Sequence, residues 1–250
     1  MDGLRGESHA HQSQVAGHMI EHLAVVIPVR NEGERLGACL RSVRQAVAAL
    51  RVERRVHVRV VVVLDSCTDD SHDIAAEFAD VTRVHTGYSN VGAARATGAR
   101  WALQALRGAP ELTWIANTDA DSTVPDSWLV DQLDQAERGT DVTLGSVEPV
   151  LAELSVGQRA AWHLAHPQGP EVGTVHGANL GVRASAYLAV GGFTAQAEHE
   201  DVRLVEAVRS AGGVVAELGG QPVHTSGRSI GRTPGGYAGY LAALEPVAVG

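Results

Sequence analysis

From Leu23 to Val29 the chain is apolar and rich in β-branched residues, the pattern of a strand buried on both faces. The run stops at a polar break, Arg30-Asn31-Glu32-Gly33. Leu36, Cys39, Leu40, Val43, Val47 and Leu50 then recur every three or four residues, which predicts an amphipathic helix. Val56 to Leu64, nearly all valine at its end, predicts a second strand closed by Asp65-Ser66-Cys67-Thr68-Asp69. Asp69 can cap a helix running through Phe78. Val81 to His85 predicts a third strand, the Ala- and Arg-rich stretch from Asn90 to Leu106 a helix, and Leu112 to Asn117 a fourth strand. Pro125 opens a further helix at a favoured first position. Strands over 141–147 and 175–182 flank a helix around Glu153 to Ala165. A last helix, Glu200 to Ser210, stops at Gly212-Gly213.

Strands alternating with helices imply an α/β fold, with a mostly parallel central sheet and helices on both faces. Such sheets bind ligands beyond the carboxyl ends of their strands. Three polar groups stand at those ends here: Arg30-Asn31-Glu32, Asp65-Ser66 and Asp119-Ala120-Asp121. Residues 1–22 are expected to be a flexible N-terminal tail, 23–226 one folded domain, and 227–250 a Gly-rich C-terminal segment, either a lid or a tail.

Charge narrows the function classes. A formal net charge of −9 excludes a general nucleic-acid binder, which needs a basic surface. A divalent metal can still bring a phosphorylated ligand to an acidic protein. No apolar run approaches the ~18 residues that span a bilayer, and the first residues lack a signal-peptide core. The expectation is a cytoplasmic protein with no transmembrane anchor, at most peripheral at the membrane, monomeric or homo-oligomeric. Cys39 and Cys67 give no disulfide framework, which fits a reducing compartment.

Asp119-Ala120-Asp121 places two carboxylates just past an apolar strand. Carboxylates and a diphosphate repel each other, and Mg²⁺ or Mn²⁺ relieves this by accepting oxygens from both. Strand ends are also acidic simply because they meet solvent. Asp65 can accept hydrogen bonds from a base or ribose, or merely open a turn with Ser66. Gly92 and Arg95, near a helix start, suit an anionic ligand through close backbone approach and a guanidinium. Glu200-Asp201 suits a first helical turn by charge alone, or supplies Asp201 as a general base. His176-Gly177-Ala178-Asn179 can set backbone and an amide beside a sugar, and His224 with Arg228 follows late in the chain.

Together these residues resemble the inverting family-2 glycosyltransferases of the GT-A fold. The likeness covers 23–226 through six segments in the family's order: IPVRNE at 27–32, VVVLDSCTDDS at 61–71, NVGAARATGAR at 90–100, NTDADS at 117–122, HGANLGVRASAYLAVGGF at 176–193 and EHEDVRLVEAVRSAG at 198–212. The resemblance implies a metal-dependent transfer of a sugar from a nucleoside-diphosphate donor, UDP by default, to an acceptor hydroxyl. Pro28, Asn31, Glu32, Asp65, Gly92, Arg95, Asp119, Ala120 and Arg228 would bind the donor. Asp121 and Asp119 would hold the metal, with Asp121 the direct ligand. Asp201, beside Glu200, would be the base, and Gly177 and Asn179 would line the sugar and acceptor pocket. Leu64 departs from the pattern, standing where the family often has the first of two aspartates.

Three alternatives stand beside this reading. A retaining GT-A enzyme resembling the glycerate synthases would use His224 as a further metal ligand. A nucleotidyltransferase would need a Gly-rich basic loop after the first strand, where Arg30-Asn31-Glu32-Gly33 stands. An inactive nucleotide-sugar binding protein would not need Asp119, Asp121 and Asp201 all intact.

Overall fold

The computed structural model describes residues 19–196, 198–231 and 236–244. Residues 1–18 of the expected tail, and 232–235 and 245–250 of the C-terminal segment, lie outside the described residues. The order is β1 (His22–Val29), α1 (Gly33–Glu53), β2 (His57–Asp65), α2 (Ser71–Ala76), β3 (Val81–Thr86), α3 (Val91–Leu106), β4 (Thr113–Asn117) and β5 (Ser122–Thr123). It continues with α4 (Trp128–Glu137), β6 (Val142–Pro149), α5 (Val156–Ala165), β7 (Leu180–Arg183), α6 (Ala184–Ala189), α7 (Glu200–Ser210), β8 (Val215–Thr225) and α8 (Tyr237–Ala243).

One sheet runs β3-β2-β1-β4-β7-β6-β8-β5. The pairs β1–β2, β1–β4, β2–β3 and β6–β8 are parallel, while β4–β7, β6–β7 and β5–β8 are antiparallel. The sheet is mostly parallel with helices on both faces, as the apolar pattern predicts. On one face Leu36, Leu40, Val43 and Leu50 of α1 join Leu129 and Leu133 of α4 over Val25, Ile27 and Val62. On the other, Ala94, Ala99 and Ala102 of α3 and Leu204, Val205 and Val208 of α7 cover Val26, Val61 and Val63. Val61, Val62 and Val63 are fully buried. Each such side chain contributes about 1.5–3 kcal/mol.

Several boundaries shift for identifiable reasons. The helix expected around Glu153–Ala165 is a 3₁₀ turn over Leu151–Glu153 followed by α5. Ser155 separates them: its Oγ accepts from Gln158 N while Gln158 Oε1 accepts from Ser155 N, a capping box. The strand expected over 175–182 is a 3₁₀ turn, Gly177–Asn179, and then β7. Pro125 leads into a turn, with its carbonyl accepting from Trp128 N at 3.0 Å, before α4 begins. In β8, Gly219 and Gly220 interrupt a largely exposed strand, so no apolar period marks it. Among the described residues no helix is long and apolar enough to cross a membrane.

Candidate active site

The carboxyl ends of β1, β2 and β4 open into a cleft of about 410 Å³. Its backbone is sharply turned. Asn31, Ser66, Ser89 and His199 all have left-handed φ values, between 52° and 61°, at or next to its walls. Non-glycine residues adopt that conformation at a cost, and such residues cluster at ligand sites. Asp65, buried at the end of β2, supports one wall. Its Oδ1 accepts from Thr86 Oγ1 (3.0 Å), Tyr88 N (2.7 Å) and Ser89 N (3.1 Å), and its Oδ2 from Asn90 N (2.8 Å). These four bonds carry the chain from β3 into α3.

On the next wall, Ser122 Oγ donates to Thr225 Oγ1 at 2.9 Å, and Thr225 Oγ1 donates to Asp121 Oδ1 at 3.4 Å. The β5–β8 pairing thus brings the C-terminal turn to the aspartate triplet. Arg228 donates Nη1 to Glu32 Oε2 (3.1 Å) and Nη2 to Glu32 Oε1 (2.8 Å), and its Nη2 lies 2.7 Å from Asp121 Oδ2. Burial, then Asp119, push the Asp121 carboxyl up to about 6; Arg228 opposes the rise and Glu32 adds to it. Burial works against the Arg228 charge, yet the Glu32 hydrogen bond and the Asp121 charge hold its pKa above the ordinary value.

The third wall is built around Arg95, which is 2% exposed. Asn90 caps α3 by accepting from Ala93 N at 2.9 Å, so the helix starts at the cleft and turns Arg95 inward. Arg95 donates Nη2 to Asp119 Oδ1 (2.5 Å) and Nε to Glu200 Oε1 (3.0 Å). Burial raises the Glu200 pKa, with Arg95 pulling against the rise. Asp201 accepts from Gly177 N at 2.7 Å through Oδ2 and from Val202 N at 2.8 Å through Oδ1. A Cβ at Gly177 would stand 2.5 Å from Arg95 Nη2 and 3.3 Å from Asp201 Oδ2, so any larger residue would have to displace the Arg95 guanidinium. His176, its pKa lowered by burial against the pull of Asp201 and Asp119, packs edge-on against Tyr237 of α8, with centroids 5.8 Å apart.

Of the residues singled out from sequence, Pro28, Glu32, Asp65, Arg95, Asp119, Ala120, Asp121, Gly177, Glu200, Asp201 and Arg228 line the cleft. Four do not. Thr225 faces Asp121, so strand alternation turns His224 the other way, and its ring lies 3.5 Å from Glu148. The expected metal ligand is not among the residues that line the cleft. Asn179 is buried, accepting from Trp128 Nε1 (2.9 Å) and donating to the Ser146 carbonyl (2.9 Å); it locks the core rather than facing a sugar. Gly92 serves helix packing, because a Cβ there would meet the Thr194 carbonyl at 2.2 Å. Asn31 ties two loops together by accepting from Thr68 N at 2.7 Å.

Other residues escape a sequence reading. Ser226 and Tyr237 line the cleft. Glu153 holds the turn before Arg228, accepting from Gly227 N at 2.9 Å and Ser226 Oγ at 3.2 Å. Seventy-odd residues separate these partners, and no local pattern links them.

Seven carboxylates (Glu32, Asp65, Asp119, Asp121, Glu198, Glu200, Asp201) and three guanidiniums (Arg30, Arg95, Arg228) line the cleft, so its charge is negative.

Known proteins agree with this architecture. Residues 24–184 match the model of glycosyl transferase family 2. No curated protein matches the chain. Among solved structures, S. aureus TarS superposes with TM-score 0.58 at 14% identity, over 83% of this chain and 61% of that one. Mannosyltransferase PcManGT from Pyrobaculum calidifontis, in complex with GDP-Man and Mn²⁺, gives 0.59 at 17% identity, over 84% and 58%. M. tuberculosis glucosyl-3-phosphoglycerate synthase, in complex with Mn²⁺, UDP and phosphoglyceric acid, gives 0.50 at 15% identity, over 81% and 72%. The chain spans about three fifths of the length of the first two. Identities this low speak for the fold alone, and the sequence match from 24 to 184 supplies the rest: the chain belongs to glycosyl transferase family 2 and has the GT-A fold.

Proposed function

We propose that this chain moves a sugar from a nucleoside-diphosphate donor to an acceptor hydroxyl, inverting the anomeric centre, with Asp201 as the base. One observation carries the reading. The two acidic pairs, Asp119–Asp121 and Glu200–Asp201, meet in one cleft and are joined by the buried Arg95. The first pair suits the diphosphate end of a donor and the second suits the acceptor.

The residues present fit a divalent cation of the open kind, which takes one or two carboxylates and completes its shell with phosphate and water. Among the described residues no closed set of three or more His, Cys, Asp or Glu ligands exists. Burial raises the Asp121 carboxyl first, and the nearby Asp119 and Glu32 charges raise it further; a cation would relieve that repulsion. Asp121 and Asp119 would hold Mg²⁺ or Mn²⁺, which when bound stabilises charge on a departing diphosphate.

The chain's own groups do the remaining work. Asp65 fixes the 86–90 turn beside the base, and Arg30 and Arg228 offer guanidiniums to the phosphates. The acceptor oxygen attacks the anomeric carbon and its proton passes to Asp201. The bond to the diphosphate breaks with the electron pair leaving on oxygen. Residues 23–226 form the catalytic domain in this reading, and 227–250 contribute Arg228 to it. A cytoplasmic location belongs to the same reading, and the free thiols of Cys39 and Cys67 support it. The retaining alternative would need His224 as a metal ligand, and its ring lies 3.5 Å from Glu148.

Thermal shift with UDP, GDP, ADP and CDP, each with and without Mn²⁺, tests the donor class. At about 100 times Kd a ligand adds about 2.7 kcal/mol, which for a chain of this size is roughly 5–10 °C. One nucleotide is expected to give that shift only with metal. No shift from any of them would overturn the reading. NMR of the product anomer separates inversion from retention.

A further inference from the structure

Arg228 is held by three contacts, two to Glu32 and one to Asp121. Toward Glu32 it presents two parallel N–H groups to both carboxylate oxygens, the fork geometry that makes guanidinium–carboxylate pairs strong. Toward Asp121 it has only Nη2, already shared with Glu32. The turn that carries Arg228 is fastened separately, by Glu153 on Ser226 and Gly227. Arg228 can therefore give up Asp121 while its backbone and its Glu32 pair stay in place.

We propose that Arg228 is an internal substitute for the divalent cation: it neutralises Asp121 in the free protein and yields it only when cation and diphosphate arrive together. This rests on the metal and donor reading above. A cation alone must compete with a guanidinium for Asp121 Oδ2 and then sit beside that positive charge. A diphosphate alone meets Asp119, Asp121 and Glu32. Arriving together they match: the cation takes Asp121, and the freed N–H of Arg228 turns to a phosphate oxygen. Arg228 cannot replace the metal even with Arg30 beside it, because Arg95 is already committed to Asp119 and Glu200 and two guanidiniums cannot offset Glu32, Asp121 and a diphosphate.

Binding coupling is reciprocal, so it can be read from the metal side. Mn²⁺ affinity is measured on the full chain by electron paramagnetic resonance, without nucleotide and with saturating UDP or GDP, whichever gives the larger thermal shift. Wild type is expected to bind Mn²⁺ weakly alone and at least about tenfold more tightly with nucleotide. Arg228→Gln should bind Mn²⁺ alone at least about fivefold more tightly than wild type, and nucleotide should add correspondingly less. Arg228→Lys, which keeps the charge but not the fork, should fall between the two and controls for misfolding. The proposal is overturned if both variants bind Mn²⁺ alone no more tightly than wild type, or keep its full nucleotide dependence. Nucleotide binding that resists EDTA in wild type and vanishes in Arg228→Gln would also overturn it, making the guanidinium a permanent replacement for the metal. Wild type that binds nucleotide but no Mn²⁺ would remove the metal reading itself, and this proposal with it.

Discussion

Asp201 accepts hydrogen bonds from Gly177 N and Val202 N, which aim its carboxylate from two directions. Asparagine keeps an oxygen for one of these donors but cannot take a proton. Asp201→Asn is therefore expected to lower transfer by about 10²–10⁴-fold, the usual contribution of a general base, while leaving the nucleotide thermal shift intact. Transfer within tenfold of wild type would remove Asp201 from the base role. At this scale the sequence brought Asp119, Asp121 and Asp201 to the cleft, because their position at a strand end or a helix start is local. It misplaced His224 and Asn179. Whether a side chain in a short strand or turn faces the cleft depends on its pairing partner, and β8 shows no alternation to read.

Between residue and whole molecule, the two helices that leave the cleft edge share one carboxylate. Asp69 accepts from Gly33 N at the start of α1 (2.9 Å) and from Ser71 N at the start of α2 (3.1 Å). Burial opposes its ionisation, but the bonds from Ser71 and Gly33 outweigh it and lower its pKa. A carboxyl lowered on folding adds stability that is present above its unfolded value, near 3.9, and lost as pH falls through the lower folded value. Asp69→Asn should thus melt below wild type at pH 7, and the gap should close as pH drops below about 4. A gap that does not change with pH would show that ionisation plays no part. The sequence placed Asp69 as the cap of a helix through Phe78; the N-cap is Asp70 and α2 ends at Ala76, and what was legible is the local bond from Ser71 N to Asp69, two residues apart. Its second bond, to α1, joins residues 36 apart and needed the fold.

Across the whole molecule Arg95 is the junction between two halves of the site. It is buried, as is Glu200, and its other partner is the aspartate triplet. Removing one partner of a buried pair leaves an uncompensated charge and costs about 3–5 kcal/mol. Arg95→Met should lower the melting temperature by roughly 6–20 °C, and adding Glu200→Gln should recover part of that loss. Equal melting of Arg95→Met and wild type would contradict the junction. The sequence marked Arg95 as a cation near an anionic ligand. That it spends its charge on two acidic groups, one 105 residues away, follows only from packing α3 beside α7.

The sequence by itself determined the layered α/β fold and the acidic strand ends, because hydrophobic period and motif order are properties of the chain read in line. The tertiary structure alone decided which of those ends share a cleft. It also decided that Arg228 reaches back 196 residues to Glu32, and which side of β8 meets Asp121. Those choices depend on sheet register and on the fit of distant surfaces, which no local pattern encodes.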